Sequence, residues 1–175
     1  MKQILVIVAY NRPGVLMKIT GLISRRGYNI ESLSSGSTQN PGYARVTITV
    51  DADKQSIEQI CKQVAKISEV EQIKVLPYES STLRSMLLVK VRVGEKQMEV
   101  LQLAAAFRSH AIDVTGNSMT FVNTGNEGKL TAFANALRRY GIVEMCQTGI
   151  VAMERGDEAL VVKESRYEWP DIKED

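Results

Sequence analysis

Histidine occurs once in 175 residues, tryptophan once, and cysteine only at positions 61 and 146. Each scarcity closes off a class of function. Two distant cysteines supply neither a disulfide framework nor a CxxC metal site. Both lie among apolar residues and read as buried, inert thiols, which suits a reducing compartment. The single histidine, His110, has no identifiable partners for a nucleophilic triad and reads as structural or surface. No GxGxxG or GxxxxGK[ST] loop is present, and the carboxylates form no metal-like cluster. Aromatics make up only 6% of the chain, so the core must be mostly aliphatic. With no RNP-like run, the sheets lack the stacking residues of a nucleic-acid binder. Apolar runs are a few residues long, whereas a membrane span needs about 20. The run Ile4–Val8 ends at Asn11-Arg12-Pro13 without a small-residue cleavage site, so it reads as a strand and not as a signal peptide. The expectation is a cytoplasmic, non-catalytic protein that binds neither membrane nor nucleic acid.

What is present is ordinary for a soluble globular chain, with 44% hydrophobic and 24% charged residues. Residues 1–153 carry 18 Lys/Arg against 12 Asp/Glu, and residues 154–175 carry 4 against 8. The basic excess of the body either faces solvent or helps to dock an acidic surface. The hydrophobic pattern alternates between strand and helix periods. Lys2–Ala9 reads as a buried strand, and Val15–Arg26 as a helix whose Val15, Ile19, Leu22 and Ile23 share one face. Strands follow over Ile30–Ser37 and Tyr43–Val50, then a helix over about Lys54–Ile67 and a strand over Val70–Leu76. This strand–helix–strand–strand–helix–strand order is the ferredoxin-like βαββαβ unit.

The pattern then recurs. Met86–Val93, Ala111–Thr115, Ser118–Asn123 and Ile142–Val151 read as strands, with helices over Lys96–Ser109 and Lys129–Tyr140. Ile30-Glu31 corresponds to Ile112-Asp113, 82 positions on, and Val70-Glu71 to Val143-Glu144, 73 positions on. The second copy is shorter, mainly in its central hairpin. The expected class is α+β, with two ferredoxin-like domains at 1–76 and 84–157. A polar linker covers 77–83 and a charged tail 158–175. In the tail, Ala159–Val162 reads as a short strand, a docking segment or a frayed end, and Tyr167 and Trp169 as exposed apolar candidates.

The informative junction is Asn11-Arg12-Pro13-Gly14-Val15-Leu16, between the first strand and the first helix. Pro13 sits where a missing N–H does no harm, and Gly14 permits close backbone approach. The free N–H groups of the first helical turn, with the helix dipole, suit a carboxylate. Asn11 offers a donor and an acceptor, which suits a zwitterion, while Val15 and Leu16 are available for apolar contact. An ordinary strand–helix turn is the alternative. Asn29, before Ile30, reads either as a turn residue or as an amide presented to a ligand on a neighbouring chain.

Arg12-Pro13-Gly14-Val15-Leu16 and Arg25-Arg26-Gly27-Tyr28-Asn29-Ile30-Glu31-Ser32-Leu33 resemble the ACT domain of acetohydroxyacid (acetolactate) synthase small subunits. Leu88–Val91, Phe107-Arg108, Ile112–Val114 and Thr148–Met153 resemble that family's C-terminal domain, so the likeness spans about residues 2–157. Ser80–Ser85 departs from the family's usual charged stretch. The resemblance implies side-by-side pairing of ACT domains in a homodimer or higher homo-oligomer. It places a branched-chain amino acid, valine foremost, between Asn11, Pro13, Gly14, Val15 and Leu16 of one chain and Asn29 and Ile30 of the other. It implies a separate catalytic large subunit that uses thiamine diphosphate, Mg²⁺ and FAD, none of them bound by this chain. This chain would activate that subunit and confer feedback inhibition in branched-chain amino-acid biosynthesis. The competing reading is a stand-alone ACT sensor serving another enzyme or a transcription factor.

Overall fold

The computed structural model describes residues 2–160. Tail residues from Val161 on, Tyr167 and Trp169 included, lie outside the described residues. Residues 2–82 with 152–160 form one compact unit, and residues 83–151 form a second.

The first unit runs β1 (Lys2–Tyr10), α1 (Val15–Arg25), β2 (Ile30–Ser37), β3 (Tyr43–Asp51), α2 (Lys54–Val64) and β4 (Val70–Leu76). Its strands lie in the order β2-β3-β1-β4, each antiparallel to its neighbour. Alternation along β1 sends Leu5, Ile7 and Ala9 toward the helices, where Val15, Ile19 and Ile23 of α1 and Ile57, Ile60 and Val64 of α2 close the core. The opposite face is buried as well, at Ile4, Val6, Val8, Thr47 and Thr49. Arg45 donates to the carbonyl of Ala152 at 2.8 Å, and Lys74 pairs with Glu154, so residues 152–154 lie against that face. Burial of both faces is why β1 is a continuous Ile/Leu/Val run.

The second unit repeats the arrangement. It runs β5 (Ser81–Arg92), a 3-10 turn (Gly94–Lys96), α3 (Gln97–Ala106), β6 (His110–Val114), β7 (Ser118–Gly125), α4 (Glu127–Leu137) and β8 (Ile142–Gln147). The strand order is β6-β7-β5-β8, and a last strand, β9 (Val151–Glu154), pairs with β5. The chain is therefore α+β, with two antiparallel ferredoxin-like sheets each carrying helices. Leu87, Val89 and Val91 of β5 pack with Val100, Leu130, Phe133 and Leu137 of the helices.

Several expected boundaries shift. The fifth strand begins at Ser81 instead of Met86, because β9 pairs with β5 and the Arg155 amide donates to the Ser80 carbonyl at 3.0 Å. Three of the seven residues read as a polar linker, 81–83, are thus strand. The final strand is two strands, interrupted at Thr148-Gly149-Ile150, where glycine favours a break in pairing. The expected helix ends were too generous: α2 stops at Val64, and α4 passes into a 3-10 turn that ends at Gly141, φ 87°. Cys61 is half-buried, and burial raises its thiol pKa. Cys146 is exposed instead of buried, because it lies on edge strand β8 opposite Leu88, on the face turned away from the helices.

Phe133 is fully buried, with ring centres 5.3 Å from Phe107 and 6.3 Å, edge-on, from Phe121. Phe133→Ala is expected to lower the unfolding free energy by about 3–5 kcal/mol. Urea denaturation checks this, and a loss under about 1 kcal/mol would contradict the core assignment.

Candidate functional site

The junction between β1 and α1 is held from two sides. The Tyr10 amide donates to the Glu69 carbonyl at 2.8 Å, and the Asn11 amide donates to the Gly42 carbonyl at 2.9 Å. The chain then turns through Arg12 and Pro13 to Gly14, whose φ of 84° lies in the left-handed region that glycine adopts without strain. A Cβ on Gly14 would meet no atom within 4 Å, so the requirement here is conformational and not one of space within the chain.

Gly14 is the N-cap of α1, and no side chain caps this helix. Two other helices are capped in the ordinary way. Asp53 accepts from the Ser56 amide at 2.8 Å, and Asn126 accepts from the Lys129 amide at 2.9 Å. At α1 the Val15 amide makes only a long 3.4 Å bond to the Arg12 carbonyl. Among the described residues, no backbone acceptor outside the helix serves Leu16 or Met17. The first turn carries no acidic residue. The Arg12 guanidinium folds over the Tyr10 ring, 4.9 Å from its centroid, and adds positive charge beside the loop. Tyr10 stacks on Tyr43 at 4.7 Å, and their hydrogen bond together with desolvation pushes the Tyr43 phenol up to about 12. The combination is an uncapped, electropositive helix start able to receive an anion.

The corresponding junction of the second unit, from β5 into α3, also lacks a side-chain cap but is not free of acidic residues. It carries Glu95 in its 3-10 turn and Glu99 in the first turn of α3. Glu99 accepts from Arg139 at 3.1 Å and from the Tyr140 hydroxyl at 2.7 Å, so acidic groups occupy this helix start while none lies in the first turn of α1.

Asn11, Pro13 and Gly14 are exposed together at the junction, and Leu16 is 38% exposed beside them. Val15 departs from the expectation of ligand contact: its side chain is 4% exposed and belongs to the core. Only its backbone faces the junction. Met17, 77% exposed on the first turn of α1, is the apolar side chain that sequence reasoning passed over, as it passed over Arg12. The signal was available, since the spacing that puts Val15 on the inward helix face turns Leu16 and Met17 outward.

Asn29 and Ile30 are not brought to this junction. Ile30 pairs with Val50, which pairs with Gln3, so Asn29 stands at the start of β1. Asn11 follows Tyr10, at its finish. The two asparagines are separated by about 30 Å along the strands. β2 is an edge strand, and five of its eight residues are Ser or Gly. Among the described residues, no group of three His, Cys, Asp or Glu could hold a metal ion, and no helix is long and apolar enough to cross a membrane.

Two ferredoxin-like units, the first with an uncapped helix start after its first strand, are the architecture of an ACT-type chain. Residues 5–72 match the model of the AHAS small subunit-like ACT domain, and residues 84–156 match that of the small subunit of acetolactate synthase. A probable acetolactate synthase small subunit of Archaeoglobus fulgidus is 40% identical over 158 residues, covering 90% of this chain and 99% of the relative. The small subunit of Mycobacterium bovis is 39% identical over 151 residues, covering 86% and 90%. The crystal structure of the acetolactate synthase small subunit from Thermotoga maritima superposes with a TM-score of 0.85 at 37% identity, covering 90% of this chain and 99% of that one. The chain belongs to the acetolactate synthase small-subunit family, whose members are regulatory subunits of branched-chain amino-acid biosynthesis.

Next to the junction, Lys18 of α1 pairs with Glu69. That hydrogen bond, helped by one from Ser68, holds the Glu69 carboxyl down to about 2. A depressed carboxyl stabilises the fold above the ordinary carboxylate range, and the contribution fades as pH falls toward about 2. NMR titration of Glu69 is expected to give a midpoint near that value, returning toward the ordinary range in Lys18→Ala. An ordinary midpoint in the parent chain would contradict the pairing.

Proposed function

We propose that this chain binds a branched-chain amino acid, valine foremost, in a site shared by two copies, and through it regulates acetolactate synthase activity. One observation carries the reading. Asn11 and Asn29 stand at opposite ends of one sheet, while the β2 edge strand is mostly Ser and Gly, five residues of eight. Antiparallel pairing of two β2 edges about a two-fold axis would reverse the partner strand. The partner's Asn29 would then stand at the end where Asn11 stands, and symmetry would give two such sites per dimer.

The roles follow from the local chemistry. Amides around Gly14–Leu16 receive the ligand carboxylate, and Arg12 reinforces the positive potential. Asn11 and the partner chain's asparagine at position 29 hold the ammonium group, with Ile30 beside the latter. Leu16 and Met17 offer apolar contact to a short branched side chain. Pro13 and Gly14 shape the loop, and Val15 contributes its amide alone.

The partner in this reading is the catalytic large subunit, in the cytoplasm. Thiamine diphosphate, Mg²⁺ and FAD, and the condensation they support, belong to that subunit. This chain would raise its activity and, with the amino acid bound, lower it. Such coupling requires the ligand to bind the two states of the complex with different affinity.

Calorimetric titration with valine, leucine and isoleucine tests the site. Saturable binding of one of them is expected, with loss in Asn11→Ala and in Asn29→Ala. An equimolar mixture of the two variants should regain about one quarter of the sites, because a heterodimer contains one intact site and one doubly altered site. No recovery on mixing would mean that each site lies within one chain, and the reading would fall.

Gly14→Asp is expected to abolish feedback inhibition of the reconstituted synthase while preserving activation. The new carboxylate would repel the ligand's; a Cβ there meets no atom within 4 Å, although the φ of 84° strains any side chain at this position. Assays of the complex with and without valine check this, and retained inhibition by a folded variant would contradict it.

A further inference from the structure

The helix face of the first unit carries a groove of about 490 Å³ that shares only Met17 with the proposed amino-acid site. It runs between α1 and the segment after α2. Met17, Leu22 and Ile67 line it with apolar surface, and Lys18, Arg25 and Lys66 give it positive charge. Lys18 is engaged by Glu69 on the rim. Among the described residues Arg25 and Lys66 have no ion-pair partner, and both are exposed. Cationic groups around a partly apolar trough suit an acidic peptide with an aromatic anchor.

This chain contains such a segment beyond both family models, which end at residue 156. Residues 161–175 carry five acidic residues, Glu164, Glu168, Asp171, Glu174 and Asp175, against three basic ones. Tyr167 and Trp169 lie among them. The path to the groove is short. Glu154 is tied to Lys74 on β4, an edge strand, and the rim residue Glu69 directly precedes that strand. From Lys74 back to Glu69 is about 17 Å along the strand. The chain from Glu154 to Trp169 extends roughly 50 Å, enough to round the β4 edge.

We propose that the tail of this chain docks in its own groove through residues 167–171, with Trp169 against Leu22 and Ile67 and with Glu168 and Asp171 on Arg25 and Lys66. Neither the effector nor the synthase partner enters this argument, so it stands apart from the proposed function.

Trp169 is the only tryptophan, so intrinsic fluorescence of the full chain reports the contact directly. The expected emission is blue-shifted and protected from acrylamide, compared with a synthetic peptide of residues 158–175. Arg25→Glu with Lys66→Glu should return emission and quenching to those of the peptide, with circular dichroism unchanged. Adding Glu168→Lys and Asp171→Lys to that variant should restore the shift by reversing both partners. Peptide-like emission in the parent chain would overturn the proposal, as would a blue shift indifferent to the groove charges. A shift that vanishes on dilution would overturn it too, since the tail would then be docked on a second copy or another protein.

Discussion

The antiparallel register that sets Lys2 against Asp51 and Tyr10 against Tyr43 fixes where every loop of the first unit stands. It puts the β1–α1 junction at one end of the sheet and the start of β2 at the other. No side-chain rearrangement can bring Asn11 and Asn29 together across about 30 Å of sheet. A site using both must therefore draw on two chains, and a two-fold operation on the β2 edge is the simplest that supplies the second half. A sensor built in this way links occupancy to assembly, because a ligand spanning two copies favours the paired state.

The second constraint is the uncapped start of α1. A side-chain cap is worth roughly 0.5–2 kcal/mol, and α2 and α4 take it through Asp53 and Asn126. α1 forgoes it for Gly14 and leaves amides to be satisfied from outside. The fold tolerates this because β1 is buried on both faces and the junction is anchored by Tyr10 and Asn11. In the proposed reading, a ligand carboxylate takes the place of that cap. The α3 start of the second unit is likewise uncapped but carries Glu95 and Glu99.

The periods of the hydrophobic pattern were enough to read the order of elements and both βαββαβ units. Strand–helix contrast is written locally: Val46, Ile48 and Val50 alternate, whereas Ile57, Ile60 and Val64 recur at helical spacing. Boundaries decided by long-range pairing were not legible. Ser81 belongs to β5 because β9, about seventy residues later, pairs with that strand. Cys146 looked buried by its neighbours, yet edge position and strand parity expose it. At the site, the left-handed Gly14 and the exposed asparagines were foreseeable from turn chemistry. The inward turn of Val15 was written in the helix face itself, while the folding of Arg12 onto Tyr10 needed three dimensions. The separation of Asn11 from Asn29 depends on strand register, which the linear sequence does not display.

The central claim is that the two asparagines meet only between chains, and one experiment addresses it without presuming the ligand. A nitroxide is attached at position 29 through Asn29→Cys on an isotopically silent chain, with both native cysteines replaced. That chain is mixed with an ¹⁵N-labelled unmodified chain, so only contacts between chains broaden the observed amides. The account predicts selective broadening of residues 11–17. Sharp signals there, in a sample shown to be dimeric, would contradict it.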